Sequence, residues 1–319
     1  MAINRRFLYV GLFLVAVGGV LVAVDLSAVQ ASALSDALRL WPLALIAIGA
    51  GIALRRSRYA LVAGILAAMI PGLVLGGGLA VAPTVTSECG GAGGDAINQL
   101  SDSGTLGAGA TVSVIVDCGE LTLDTRAGSA WALTSSTTRD RAPKVDATAD
   151  LLSVRSRGGE DWLGAGREQL EVSLPTSHLT DLNVQLAAGR STLSLGGANV
   201  EHVAVLGNAA DIEIDGTGAL VQDIDAGLEF GRVSILLPQQ GTYTGTLRVN
   251  AGELRICTPF FLGVHVDFSG SPREVRINGL EASGSVWENE AYASAANRAD
   301  LNVRVNFGSV LINPIGGCK

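Results

Sequence analysis

A glycine-centred pattern recurs along the C-terminal two thirds of this chain and restricts its fold more than any other feature. Val-Arg-Val-Asn-Phe-Gly-Ser-Val-Leu-Ile at 303–312 aligns with Leu-Arg-Val-Asn-Ala-Gly-Glu-Leu-Arg-Ile at 247–256. Counted from the glycine, apolar residues fall at −5, −3 and −1, and then at +2 and +4. Alternation of this kind gives a strand one buried face. The buried set changes parity at the glycine, which a straight strand cannot do and a bulge or corner can.

The same frame fits Val114, Val116, Cys118 around Gly119 with Leu121 and Leu123. It also fits Val184, Leu186, Ala188 around Gly189, with Ser191 polar at +2 and Leu193 next, and Leu228 and Phe230 around Gly231 with Val233 and Ile235. Centred on Asn208 it gives Val203 and Val205, then Ala210, Ile212 and Ile214. Corners often need φ > 0, which glycine adopts freely and asparagine tolerates better than most residues. The expected corners are therefore Gly119, Gly189, Asn208, Gly231, Gly252 and Gly308. A repeat near 20 residues is the signature of a solenoid. Val264, Val266 and Phe268, followed by Val275 and Ile277, read as a further, loosened coil, and the irregular outer spacings read as capping coils. Residues 111–319 are thus expected to form an all-β, solenoid-like domain, with a β-sandwich as the alternative.

The N-terminal quarter is different. Residues 1–83 hold six arginines against Asp25 and Asp36, while 84–319 hold 16 basic and 28 acidic residues. Apolar runs at 7–24, 37–54 and 59–83 predict a membrane α-helical module of three spans. No small-x-small cleavage site favours a signal peptide for the first run. Arginines at 5, 6, 55, 56 and 58 place the N-terminus in the cytoplasm and everything after Pro83 outside, as a multi-pass protein of the cell membrane. Apart from Arg39 at the edge of the second, no charged residue lies within a span, so transport has no support. Residues 84–110, rich in Gly, Ser and Thr, read as a linker. The acidic balance of the outer domain excludes nucleic acid as a partner.

Cys89, Cys118, Cys257 and Cys318 all follow Pro83, and an even count on one side predicts structural disulfides. Three pairings are open; Cys89–Cys118 with Cys257–Cys318 is preferred because each joins sequence neighbours. No CxxC motif or close histidine pair suggests a metal, and no cofactor is expected. His178, His202 and His265 are scattered. Asp211, Glu213 and Asp215 alternate along one strand, with Asp223 and Asp225 one coil on; such carboxylates could bind Ca²⁺ or act on a glycosidic bond, but a solvated strand face explains them better. Trp162, in the unpatterned charged segment 155–168, is a candidate partner surface. No nucleophile elbow, phosphate loop or zinc-protease motif occurs, so no enzyme activity is expected.

Leu40–Arg56, in which Trp41-Pro42 opens an apolar run closed by Arg55-Arg56, resembles the membrane module of LiaF-type envelope proteins. The preceding run, closing in Val24-Asp25-Leu26, is similar too. The glycine-centred repeat resembles the toast-rack, or adhesin-type, domains often joined to such modules. That resemblance implies a non-enzymatic part in sensing, scaffolding or regulating envelope stress through a membrane signalling protein. The alternative is a membrane-anchored adhesin or glycan-binding module. The expected partners are the lipid bilayer, a membrane signalling protein and a surface glycan.

Overall fold

The computed structural model describes residues 11–16, 18–19, 64–65, 67–70, 72–73, 98–137, 142–157 and 167–318. It divides into two units, Met1–Ser87 and Glu88–Lys319.

In the first unit the described residues are helical and fall within 11–19 and 64–73. A Cβ placed on Gly72 would lie 2.8 Å from the Ala16 Cβ, so the two helical stretches touch where that glycine leaves room. A stretch of ten residues rises about 15 Å, roughly half of a bilayer's hydrocarbon core. Among the described residues no helix is long and apolar enough to cross a membrane. This corrects the expectation of three spans at 7–24, 37–54 and 59–83. The multi-pass, N-inside and C-outside localisation loses its basis with them. Hydropathy scores the transfer of a segment into lipid, whereas a span also requires a long helix; the run at 37–54 lies outside the described residues.

The second unit is a single sheet wound into a solenoid. Its body consists of bent strands: β2 (Ala110–Arg126), β7 (Leu179–Ser194), β8 (Asn199–Asp215), β9 (Leu220–Leu236), β10 (Thr242–Cys257) and β15 (Arg298–Ile312). Each pairs in parallel with the next in that order. At one end β2 is flanked by β5 (Leu151–Arg155) on its first arm and β6 (Glu168–Pro175) on its second. Antiparallel β3 (Ala130–Thr137) and β1 (Asn98–Thr105) continue from β6, and β4 (Lys144–Ala147) covers β5. Strand β1 lies inside the segment read as linker. At the other end β11 (Gly263–Gly270) and β12 (Glu274–Ile277) pair with the two arms of β15. The hairpin β13 (Glu281–Ser283) and β14 (Val286–Glu288) then covers β11.

The corners stack in register: Gly119, Gly189, Ala210, Gly231, Gly252 and Gly308 are successive partners. The expected corner Asn208 is therefore corrected to Ala210, and the centres from 189 to 252 then lie 21 residues apart without exception. Every glycine of the column has positive φ, whereas Asn313 is the one non-glycine residue with positive φ among the described residues. At Gly252, with φ +149°, an added Cβ would sit 1.9 Å from the carbonyl oxygen of Gly231; at Gly308 it would sit 1.7 Å from that of Gly252. Gly231 lies against Ala210 in the same way, so these corners rest their bare Cα on the peptide of the coil before them. Ala210 holds the same register with a methyl group and without positive φ.

The buried set also differs from the predicted frame. In β10, Leu247, Val249, Leu254 and Ile256 are buried and Ala251 is not. The positions −2 and −1 both face outward, and the strand resumes its inward alternation after the glycine. Two outward residues in succession are what a bulge produces. Phe230 and Phe307, expected inside, are consequently exposed.

Between the arms the inward residues form columns. One runs Val114, Val184, Val205, Ala226, Leu247, Val303. Each fully buried Val, Leu or Ile contributes about 1.5–3 kcal/mol. The column on the second arm runs Leu121, Ser191, Ile212, Val233, Leu254, Val310. Ser191 is fully buried there, and its hydroxyl has no hydrogen-bond partner.

Strand order departs from chain order near the C-terminus. After β10 the chain builds the outermost coil from β11 and β12, and β15 then returns to lie between that coil and β10. The expectation that 303–312 caps the stack is corrected on this point. Cys257, at the end of β10, forms a disulfide with Cys318 across 61 residues of sequence and so ties the inserted strand to its neighbour.

Three outcomes follow from this packing. Gly252→Ala is expected to destabilise the β unit by about 3 kcal/mol or more in denaturant titration, while Ala210→Gly costs at most about 1 kcal/mol. Ser191→Ala is expected to stabilise it by about 1 kcal/mol in the same assay, since it removes a buried, unpaired hydroxyl. Replacing Cys257 and Cys318 together by serine is expected to lower unfolding free energy by up to about 4 kcal/mol, the loop-closure value for this separation.

Candidate functional site

The corner turns an edge of the solenoid into a ridge. At −2 the successive residues are Asp117, Ala187, Asn208, Glu229, Asn250 and Asn306; at −1 they are Cys118, Ala188, Ala209, Phe230, Ala251 and Phe307. Asn306 Nδ2 donates to Asn250 Oδ1 at 2.7 Å. Asn250 Nδ2 in turn donates to the Glu229 carboxylate. Beside this polar ladder, Phe230 and Phe307 are 63% and 73% exposed. Both are register partners of Ala251, so they flank it one coil to either side. They are the most exposed large apolar residues of the strands, above Leu151, Leu206, Leu220 and Val275 at 39–45%.

Most charges around the ridge are engaged by neighbouring side chains. On the first arm, Arg248 NH2 donates to both oxygens of Asp225 at 2.9 and 2.8 Å. Arg304 Nε donates to Asn306 Oδ1 at 3.4 Å. On the second arm, Arg232 lies between Glu253 at 3.1 Å and Asp211 at 3.8 Å, and Arg255 meets Glu253 at 2.5 Å. Such exposed pairs contribute little to stability, and Glu229 and Arg304 bond neutral amides.

The acidic residues singled out in the sequence are not brought together. Asp211, Glu213 and Asp215 lie on the second arm of β8, whereas Asp223 and Asp225 lie on the first arm of β9, beyond the corner. Asp211 faces Arg232, Asp225 faces Arg248, and Asp215 Oδ1 accepts the Thr217 amide at 3.0 Å. Among the described residues no group of three or more His, Cys, Asp or Glu could hold a metal ion.

The histidines stay apart. His178 Nε2 is 3.0 Å from Glu201, and His202 is exposed between the register positions of Asp181 and Asp223. His265 Nδ1 is 2.6 Å from Glu288. Nearby, the Tyr292 hydroxyl donates to Asp300 Oδ1 at 2.5 Å, and this bond to a carboxylate holds its pKa above the ordinary tyrosine value. These contacts fasten the capping hairpin to β11 and the turn after it to β15. Of the cysteines, Cys257 and Cys318 are joined and Cys118 is disulfide-bonded. Cys89 and Trp162 lie outside the described residues.

A second feature sits at the turn end of the C-terminal coils. An open hollow of about 840 Å³ is lined by Pro259, Phe260, Phe261, Leu280, Glu281 and Glu290. Phe260 and Phe261 pack edge to face with centroids 5.2 Å apart and are both largely exposed. At its border Asn313, at φ +48°, accepts the Thr258 amide at 2.8 Å and donates to the Asn278 carbonyl at 2.9 Å.

Sequence reasoning missed the ridge because it counted −1 as an inward position. The signal available was the alternation of Phe and Ala at −1 in the last three coils of the body, since a packed column tolerates such volume changes poorly.

The class of the β unit is thereby set: a β-solenoid of bent parallel strands, cornered on a stacked glycine column. Residues 107–235 match the family model described as the N-terminal domain of toast_rack, DUF2154, and the chain carries a toast-rack β domain there. No curated protein matches the chain. Among solved structures, it is similar to a Clostridium sporogenes protein named for cell adhesion, with 15% identity and a TM-score of 0.49 over 67% of this chain and 99% of that one. It is also similar to a Bacteroides fragilis protein named as an adhesin, with 7% identity and a TM-score of 0.29 over 68% and 97%. A Parabacteroides distasonis protein named for lipid binding gives 7% identity and a TM-score of 0.28 over the same shares.

Proposed function

We propose that this protein is a non-enzymatic receptor scaffold of the cell-envelope stress response. Its toast-rack solenoid takes up a ligand along the corner ridge and passes the bound state to a signalling protein. The observation that carries this reading is the exposure of Phe230 and Phe307 at register positions that flank Ala251, beside a hydrogen-bonded Glu229–Asn250–Asn306 ladder. A rigid sheet holds both rings in place before any ligand arrives, so binding there orders little new structure. The toast-rack match over 107–235 supports the solenoid scaffold, and the Cys257–Cys318 disulfide suits an oxidising compartment such as the envelope.

The test is a double variant, Phe230→Ser with Phe307→Ser. Because both rings are exposed, its unfolding free energy is expected to stay within about 0.5 kcal/mol of the parent. In the native host, induction of an envelope-stress reporter by a cell-wall antibiotic is expected to be lost or constitutive in the double variant. Induction identical to the parent would contradict the reading.

A further inference from the structure

We propose that the ridge binds a linear β-1,4-linked polysaccharide, with Phe230 and Phe307 stacking against alternate sugar rings. This rests on the receptor reading above and names the ligand class of the same site.

Parallel strands lie about 4.8 Å apart, so residues two coils apart in one column are separated by roughly 9.6 Å. Phe230, Ala251 and Phe307 are successive register partners, and the two phenylalanines therefore stand at that separation along the solenoid axis. A β-1,4-linked chain is an extended ribbon that presents the same face once per disaccharide, and its disaccharide repeat is close to this spacing. The coil between the rings carries only the Ala251 methyl group at this position, which leaves room for the sugar that faces the other way. A phenyl ring offers a flat apolar surface to the C–H face of a pyranose.

The neighbouring column supplies the polar half of the contact. Glu229, Asn250 and Asn306 run parallel to the aromatic column, one residue away, and are joined by their own hydrogen bonds. An amide engaged in one such bond keeps further donor and acceptor capacity for a hydroxyl. The nearest arginines, Arg248 and Arg304, are engaged by Asp225 and Asn306. Glu229 and Arg304 each bond a neutral amide, so beside the rings one carboxylate and one guanidinium stand among amides with no excess of either sign, which suits a neutral, polyhydroxylated ligand better than a charged one. A protein partner would normally cover about 800 Å² of surface, far more than two rings and a row of amides offer. The Phe260–Phe261 pair is different in kind: its rings pack against each other edge to face beside Glu281 and Glu290, and no repeat spaces them.

The experiment is calorimetric titration of the full chain with chitohexaose as the probe, with chitobiose and maltohexaose as comparisons. Chitohexaose is expected to bind, and at least about tenfold more tightly than chitobiose, because only the longer oligomer reaches both rings. Maltohexaose, whose α-linkages curl the chain, is expected to bind more weakly than chitohexaose. Phe230→Ala and Phe307→Ala are each expected to reduce the hexamer's affinity to near that of the dimer, and Phe260→Ala to leave it unchanged. Binding that is indifferent to both ridge substitutions overturns the proposal, as does the absence of binding by chitohexaose at millimolar concentration. If the stress reporter still depends on Phe230 and Phe307 in that event, the receptor reading stands and the ligand belongs to another class. If it does not, both fail.

Discussion

The β unit depends on one repeated contact, the bare Cα of a corner glycine seated on the peptide of the coil before it. At Gly252 and Gly308 an added Cβ would fall within 2 Å of a carbonyl oxygen, so the coils close to sheet spacing at the bend only because nothing is there. Everything outward and inward of the corner follows. The inward residues stack into columns between the arms, and in β9, β10 and β15 the two residues before the corner both turn outward. Ala210 marks the limit of the rule, since one coil keeps the register with a methyl group and a different backbone conformation.

The same contact also shapes the outer surface of the solenoid. The corner turns a strand edge into a straight ridge, and the 21-residue spacing places equivalent residues in line along it. Whatever occupies −1 is displayed at sheet spacing, held by a backbone that has already lost its freedom. Small residues at −1 give a smooth ridge in β7 and β8, and phenylalanines in β9 and β15 give a patterned one. The ridge surface can thus be changed by a few side chains without disturbing the core.

Much of this architecture was legible in the sequence. The frame around Gly252 and Gly308 named the corners, the strands and most of the buried columns, because alternation and glycine placement are local consequences of the strand geometry. Three aspects were not legible. Hydrophobicity could not tell whether Phe307 points in or out, since a corner that turns out two residues in succession inverts the parity at −1. The preference of asparagine for positive φ pointed to Asn208, whereas the register selects Ala210 two residues later. The insertion of β15 between β10 and the 263–277 coil left no trace in periodicity, because a period records that coils stack and not in which order. The apolar runs of the first 83 residues misled for a related reason: transfer free energy is a property of a segment, and helix length is a property of its structure.

The inserted strand is the part of the stack that local reasoning could not supply, and its position is therefore the sharpest check on the whole. Amide–amide NOEs in the perdeuterated full chain would report it directly. The account predicts cross-strand NOEs linking the amides around Gly308 both to those around Gly252 and, on the other side, to those of Glu274–Ile277. NOEs joining the Gly252 region to 263–277 instead, with Gly308 at the margin of the sheet, would contradict it.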